Sequence, residues 1–166
     1  AFGVDPKVVE AVTKAVRKVT DKPVIVKLSP NVTDIVEIAK AVEAGGGNGV
    51  SLINTLLGMA IDIYHRKPVL GNTYGGLSGP AVKPVALRMV HQVYKGVTIP
   101  IIGLGGIMTG TDAIEFMMAG AQAVQVGTAT MVDPTAISRI AREMSEYVEQ
   151  YNLNSITDIV GAVHHV

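Results

Sequence analysis

A chain of 166 residues, 48% of them hydrophobic, is long enough for one domain with a substantial core. Its 14 basic and 14 acidic residues balance, so it lacks the basic excess of a general nucleic-acid surface. Cysteine is absent, which excludes a disulfide scaffold and any cysteine-held metal or cluster in this chain, and no apolar run reaches the roughly 20 residues of a membrane span. The opening segment Ala-Phe-Gly-Val-Asp-Pro has no basic region followed by an apolar one, so the cytoplasm is the expected compartment.

Asp5-Pro6 reads as an N-cap followed by the first helical position, and Val8, Val9, Val12, Ala15, Val16 and Val19 recur at helical spacing over residues 6–20. Pro23 to Leu28 is a β-branched run, read as a buried parallel strand. Ile35, Ile38, Ala39 and Val42 mark a second helix ending at Gly45-Gly46-Gly47, and Gly49 to Ile53 is the next strand. Residues 54–79 form a long glycine-rich insertion, of the kind that is usually functional, with a possible hairpin turn at Gly71-Asn72. A helix over 80–94 follows, with Val82, Val85, Met89 and Val93 on one face. After it come a strand at 100–103, a helix at 111–119, a strand at 122–126, a helix at 134–150 and a short helix at 155–161.

Repeated strand–helix units with near-continuous apolar strands predict a parallel α/β fold. Four such units are half of a TIM-type (βα)₈ barrel, so the expectation is a parallel (βα) barrel to which this chain supplies roughly the last four units. A lone half-barrel leaves two strand edges and one sheet face uncovered, which calls for a partner: the other half of the barrel or a second copy.

Two segments carry the chemistry. Pro100-Ile-Ile-Gly-Leu-Gly-Gly-Ile107 and Ala123-Val-Gln-Val-Gly-Thr-Ala129 each run an apolar strand straight into glycine. At the C-terminal ends of barrel strands, bare backbone N–H groups and helix N-termini can hold a phosphate. The bland alternative is a pair of tight strand-to-helix turns. The dinucleotide pattern G-x-G-x-x-G fails because Met108 stands where the last glycine is required. Lys27 lies within an apolar strand, either at the barrel mouth facing an anionic or electron-rich ligand, or snorkelling from a strand end. Asn54-Thr55 offers donors and acceptors to a polar ring, or simply starts the loop with an Asx-turn. Ser78 reads as a helix N-cap before Pro80. His65, His91, His164 and His165 show no metal-ligand spacing, and His164-His165 is expected at a surface or interface; Met89, Met117, Met118 and Met144 read as packing.

Taken together, Val26-Lys-Leu-Ser-Pro30, the run Ile53 to Asp62, Gly75-Gly-Leu-Ser-Gly-Pro80, Ile102-Gly-Leu-Gly-Gly-Ile107 and Val126-Gly-Thr-Ala129 resemble the dihydroorotate dehydrogenases, most closely the class 1B catalytic FMN subunit. The resemblance runs along the whole chain. It implies that residues 1–166 are the C-terminal half of a single FMN-binding (βα)₈ barrel that oxidises dihydroorotate to orotate in pyrimidine biosynthesis. By the same resemblance Lys27 lies against the flavin ring, Ile53 contacts FMN through its backbone, and Asn54 and Thr55 bind the pyrimidine. Gly79, Gly105, Gly106, Gly127 and Thr128 contact FMN, the last four mostly at its phosphate. The family's catalytic base is a cysteine, which falls upstream of residue 1, so this chain holds no catalytic residue and is expected to be inactive alone. Implied partners are the N-terminal half of the barrel, a homodimer mate and an electron-transfer subunit carrying FAD and a 2Fe–2S cluster, which passes electrons to NAD. The rival readings are another phosphate-binding barrel, such as a sugar-phosphate isomerase, and a ligand-binding half-barrel without chemistry.

Overall fold

The computed structural model describes residues 2–163, so His164 and His165 lie outside the described residues. Asp5 caps the first helix, α1 (Pro6–Arg17), by accepting the Lys7 N–H, and Pro6 takes the first helical position. α1 stops at Arg17 rather than at residue 20, because the Arg17 guanidinium turns to donate to the Lys22 carbonyl and the Asn48 side chain. Strand β1 (Ile25–Leu28) follows. The next helix, α2 (Ile35–Ala44), is capped by Asp34 and closed by Gly46 at φ 84°; it leads into β2 (Gly49–Leu52).

The insertion is an antiparallel ribbon. β3 (Leu56–Gly58) pairs with β6 (Gly75–Leu77), and β4 (Ile61–Asp62) pairs with β5 (Lys67–Pro68). Gly71-Asn72 does turn, since Thr73 donates to the Leu70 carbonyl at 3.0 Å, but that turn joins β5 to β6, which do not pair with each other. The hairpin turn lies at residues 63–66 instead. There Asp62 Oδ1 accepts from the amides of Tyr64 and His65, and Arg66 takes φ 51°.

A 3₁₀ turn (Pro80–Val82) enters α3 (Lys83–Tyr94), and β7 (Ile101–Leu104), α4 (Gly110–Met118) and β8 (Ala123–Gln125) follow. A five-residue helix that the sequence reading lacks, α5 (Thr128–Val132), precedes α6 (Ala136–Gln150), and a 3₁₀ turn (Ile156–Ile159) comes last.

β1, β2, β7 and β8 form one parallel sheet in that order. Alternation along parallel strands sorts their side chains onto two faces. Leu28, Val50, Leu52 and Ile101 share the helix-facing side and are buried against Ile38, Val42, Val90, Val93 and Phe116. The register puts Lys27, Ser51, Ile102 and Ala123 on one level of the opposite face, with Leu104 and Gln125 on the next. On that second face Ile25 is 52% exposed, and Lys27 and Gln125 are exposed as well. One face of the sheet is a finished core and the other is not. Among the described residues no helix is long and apolar enough to cross a membrane.

Candidate functional site

The C-terminal ends of the four strands converge on a cavity of about 310 Å³. Each strand delivers part of it. β1 contributes Lys27, whose ammonium makes no hydrogen bond or ion pair among the described residues. Immediately after β2 come Ile53, Asn54 and Thr55. Ile53 is buried and donates its N–H to the Leu104 carbonyl at 2.8 Å; Asn54 donates its N–H to the Leu28 carbonyl at 2.9 Å. These two bonds tie the start of the insertion to the ends of β7 and β1. The Asn54 carboxamide has no hydrogen-bond partner among the described residues, so it does not form the Asx-turn of the bland reading.

The ribbon returns at Leu77 and Ser78, and Gly79 at φ 86° turns the chain into the 3₁₀ segment. Ser78 does not cap that segment. Its Oγ instead accepts from Thr128 Oγ1 at 3.0 Å, joining the end of the insertion to the end of β8. Beyond β7, Gly105 (φ 130°) and Gly106 (φ 77°) line the cavity, and beyond β8 so do Gly127 and Thr128. All nine positions singled out by the sequence therefore face one space.

The two glycine turns leave different groups free. Among the described residues, the amides of Gly105, Gly106, Ile107, Gly127 and Thr128 donate to no backbone carbonyl. The N-terminus of α4 is a different matter. Thr109 and Asp112 form a capping box, Asp112 Oδ2 accepts from Met108 and Thr109, and Glu143 accepts from Gly110. That helix end is satisfied by carboxylates and is closed to an outside anion. Only the first half of the turn, Gly105 to Ile107, remains for a ligand.

Burial opposes ionisation of Asp112, but the Lys83 ammonium, the Met108 amide and the Thr109 side chain outweigh it and hold the carboxyl below its ordinary value. Glu143 is lowered too, chiefly by the Gly110 amide and then by Arg139. Among the described residues, Lys27 is the only one lining the cavity with a charged side chain, and no carboxylate or imidazole faces this space. Sequence reasoning missed Gln125, Leu104 and Leu77 among the lining residues. Gln125 was accessible to it: in Ala-Val-Gln-Val the alternation puts residues 123 and 125 on the same face.

A parallel α/β sheet whose strand ends carry free amides, one cation and a carboxamide places the chain in the barrel class, with a cavity whose groups suit an anion. The chain belongs to the dihydroorotate dehydrogenase family, whose model matches residues 1–148. It is 63% identical over 164 residues to the catalytic subunit of dihydroorotate dehydrogenase B (NAD(+)) from Desulforamulus reducens, covering 99% of this chain and 54% of that protein. It is 62% identical over 160 residues to the same subunit from Alkaliphilus oremlandii (96% and 53% covered), and 61% identical to that of Geobacter metallireducens (98% and 53%). The chain thus spans about half the length of the curated relatives it matches, and its four-stranded parallel sheet is a partial TIM barrel.

Proposed function

We propose that residues 1–166 form the C-terminal half of one (βα)₈ domain, and that the complete protein oxidises dihydroorotate to orotate in pyrimidine biosynthesis with FMN as its cofactor. The observation that carries this is the convergence of Lys27, Asn54, Thr55 and both glycine turns on one cavity, with five amides there donating to no carbonyl. The residues fit the group. The amides of Gly105, Gly106, Gly127 and Thr128 suit a dianionic phosphate, and Gly79 and the Ile53 backbone border the same space. Lys27 brings positive charge from the sheet face to the ring that would lie over it, and Asn54 and Thr55 offer both hydrogen-bonding senses to a pyrimidine.

When bound, FMN supplies the acceptor for the electron pair leaving C6 of the substrate. The chain's own contribution is binding, orientation and charge. Among the described residues it has nothing suited to remove the C5 proton, because they bring no carboxylate, imidazole or thiol to the cavity wall. General-base catalysis contributes roughly 10²–10⁴-fold, so the 166-residue chain alone is expected to be inactive toward dihydroorotate. For the isolated chain only, the same lack of a base favours ligand binding without turnover.

The relatives are named as NAD(+)-type catalytic subunits. By analogy, electrons would pass to NAD through a partner subunit carrying FAD and 2Fe–2S, and the protein would work in the cytoplasm as a homodimer. Exposed Leu57, Ile61, Ile63, Tyr64 and Tyr74 on the ribbon support a protein contact there.

The test mixes the complete protein, and separately this chain, with FMN and then dihydroorotate. The complete protein should hold a blue-absorbing flavin that bleaches on substrate addition, whereas the chain alone should give no turnover. A colourless complete protein that binds no FMN overturns the reading.

A further inference from the structure

The turn after β7 has a second half that touches no ligand. Met108 and Thr109 give their N–H groups to Asp112 Oδ2 at 2.9 and 3.0 Å, and Gly110 gives its own to Glu143. These contacts hold the turn, but they also bring carboxylates beside a site meant for an anion. Left uncompensated, Asp112 and Glu143 would repel a phosphate. Each is matched. Lys83 Nζ lies 2.6 Å from Asp112 Oδ1 and 3.0 Å from Glu115 Oε2. Arg139 donates to Glu143 at 3.0 Å and to the Met108 carbonyl at 3.1 Å.

Lys83 is the more telling of the two cations because it meets the turn twice. Its backbone nitrogen stands 2.8 Å from where a Cβ on Gly106 would be. Its ammonium reaches across to α4. One residue therefore sets the height of Gly106 over α3 and anchors the carboxylate that fixes residues 108 and 109. The pair is half-sheltered, with side chains 25% and 14% exposed, so solvent screens it only in part.

We infer that Lys83 and Asp112 are positioning residues for the phosphate end of the flavin. Their bridge fixes residues 108 and 109 and thereby the approach of the preceding Gly105 to Ile107 amides to the anion, while Lys83 offsets part of the carboxylate charge that this bracing introduces. The inference rests on the FMN reading above. A merely structural bridge would change stability without caring whether the flavin carries a phosphate, and that difference is measurable.

The experiment uses the complete apoprotein and two probes, FMN and riboflavin, which differ by the phosphate alone. Dissociation constants come from flavin fluorescence, with melting temperature recorded alongside. Wild type should prefer FMN. Lys83→Gln strips the cation that braces Asp112, and Asp112→Ala removes the acceptor that holds the amides of Met108 and Thr109. Each should weaken FMN about 10–50-fold and riboflavin less than about twofold, as expected for losing a charge-assisted contact. Lys83→Arg should keep most of the preference for FMN. Should Asp112→Ala fail to fold, the two Lys83 variants decide the matter. Equal losses for both flavins, or no loss for either, would overturn the inference while leaving the FMN reading intact. Wild type that binds neither flavin would sink both.

Discussion

The two glycine turns look alike in the sequence and are built for different reasons. After β7, a Cβ on Gly105 would stand 2.8 Å from Ala86 Cβ, and one on Gly106 would stand 2.7 Å from the Gly79 carbonyl oxygen; both residues also take positive φ. After β8, Gly127 has φ −110°, and a Cβ there meets nothing within 4 Å. The first turn needs glycine for its own fold. The second has room for a side chain, so a requirement for glycine there can come only from something that occupies the space. The bland reading of these glycines as tight turns therefore accounts for residues 105 and 106 without displacing the functional one, whereas close packing does not account for a glycine at residue 127.

That contrast separates stability from binding. In the complete protein, Gly106→Ala combines left-handed strain with contact against backbone atoms that cannot move aside. It should cost about 2–4 kcal/mol of stability, read from denaturant unfolding, with the flavin site lost as a consequence. Unchanged stability would mean that the turn relaxes and that the close contact is not a real constraint. Gly127→Ala should leave stability within about 0.5 kcal/mol, yet weaken FMN roughly tenfold if the anion approaches that amide. A variant with normal FMN affinity would place the phosphate elsewhere on the cavity wall.

The same division explains what could be seen before the structure. Strands and helices of the parallel sheet were legible because burial on one face writes a strong period into the sequence: Val24 to Leu28, Val50 to Ile53 and Ile101 to Leu104 are near-continuous apolar runs. The gathering of the nine candidate positions around one cavity was legible because they fall at the ends of barrel strands and because the family's motifs cover them. The ribbon was not. Gly71-Asn72 has turn chemistry and does turn, but local chemistry does not say which strands pair, and the hairpin turn was made by Asp62 and Arg66 instead. α5, at five residues, is too short to show a period. Ser78 was read as a cap because it precedes Pro80, whereas its partner, Thr128, lies fifty positions away. The Lys83–Asp112 bridge spans 29 positions and was hidden for the same reason, although the Thr109-x-x-Asp112 capping box that prepares it is plain in the sequence.

The smallest expected effect distinguishes the turns by acid. Asp112 and Glu143 accept from the turn after β7 and not from the turn after β8, and both carboxyls are held below their ordinary values in the folded chain. A carboxyl whose folded pKa is depressed contributes stability that is fully present above its unfolded value, near 4, and is lost as pH falls through the folded one. Lowering the pH below about 4 should therefore loosen residues 108–110 first, as their amides lose ionised acceptors. No carboxylate accepts from Gly127 or Thr128, so the turn after β8 has no such dependence of its own. Hydrogen exchange of the complete protein, compared at neutral pH and in mild acid, reads both turns in one experiment. The amides of Met108, Thr109 and Gly110 should lose protection, corrected for intrinsic rates, while those of α5 keep theirs. Equal loss at both turns would mean that acid unfolds the sheet as a whole and that the carboxylate ties add nothing local to the turn after β7.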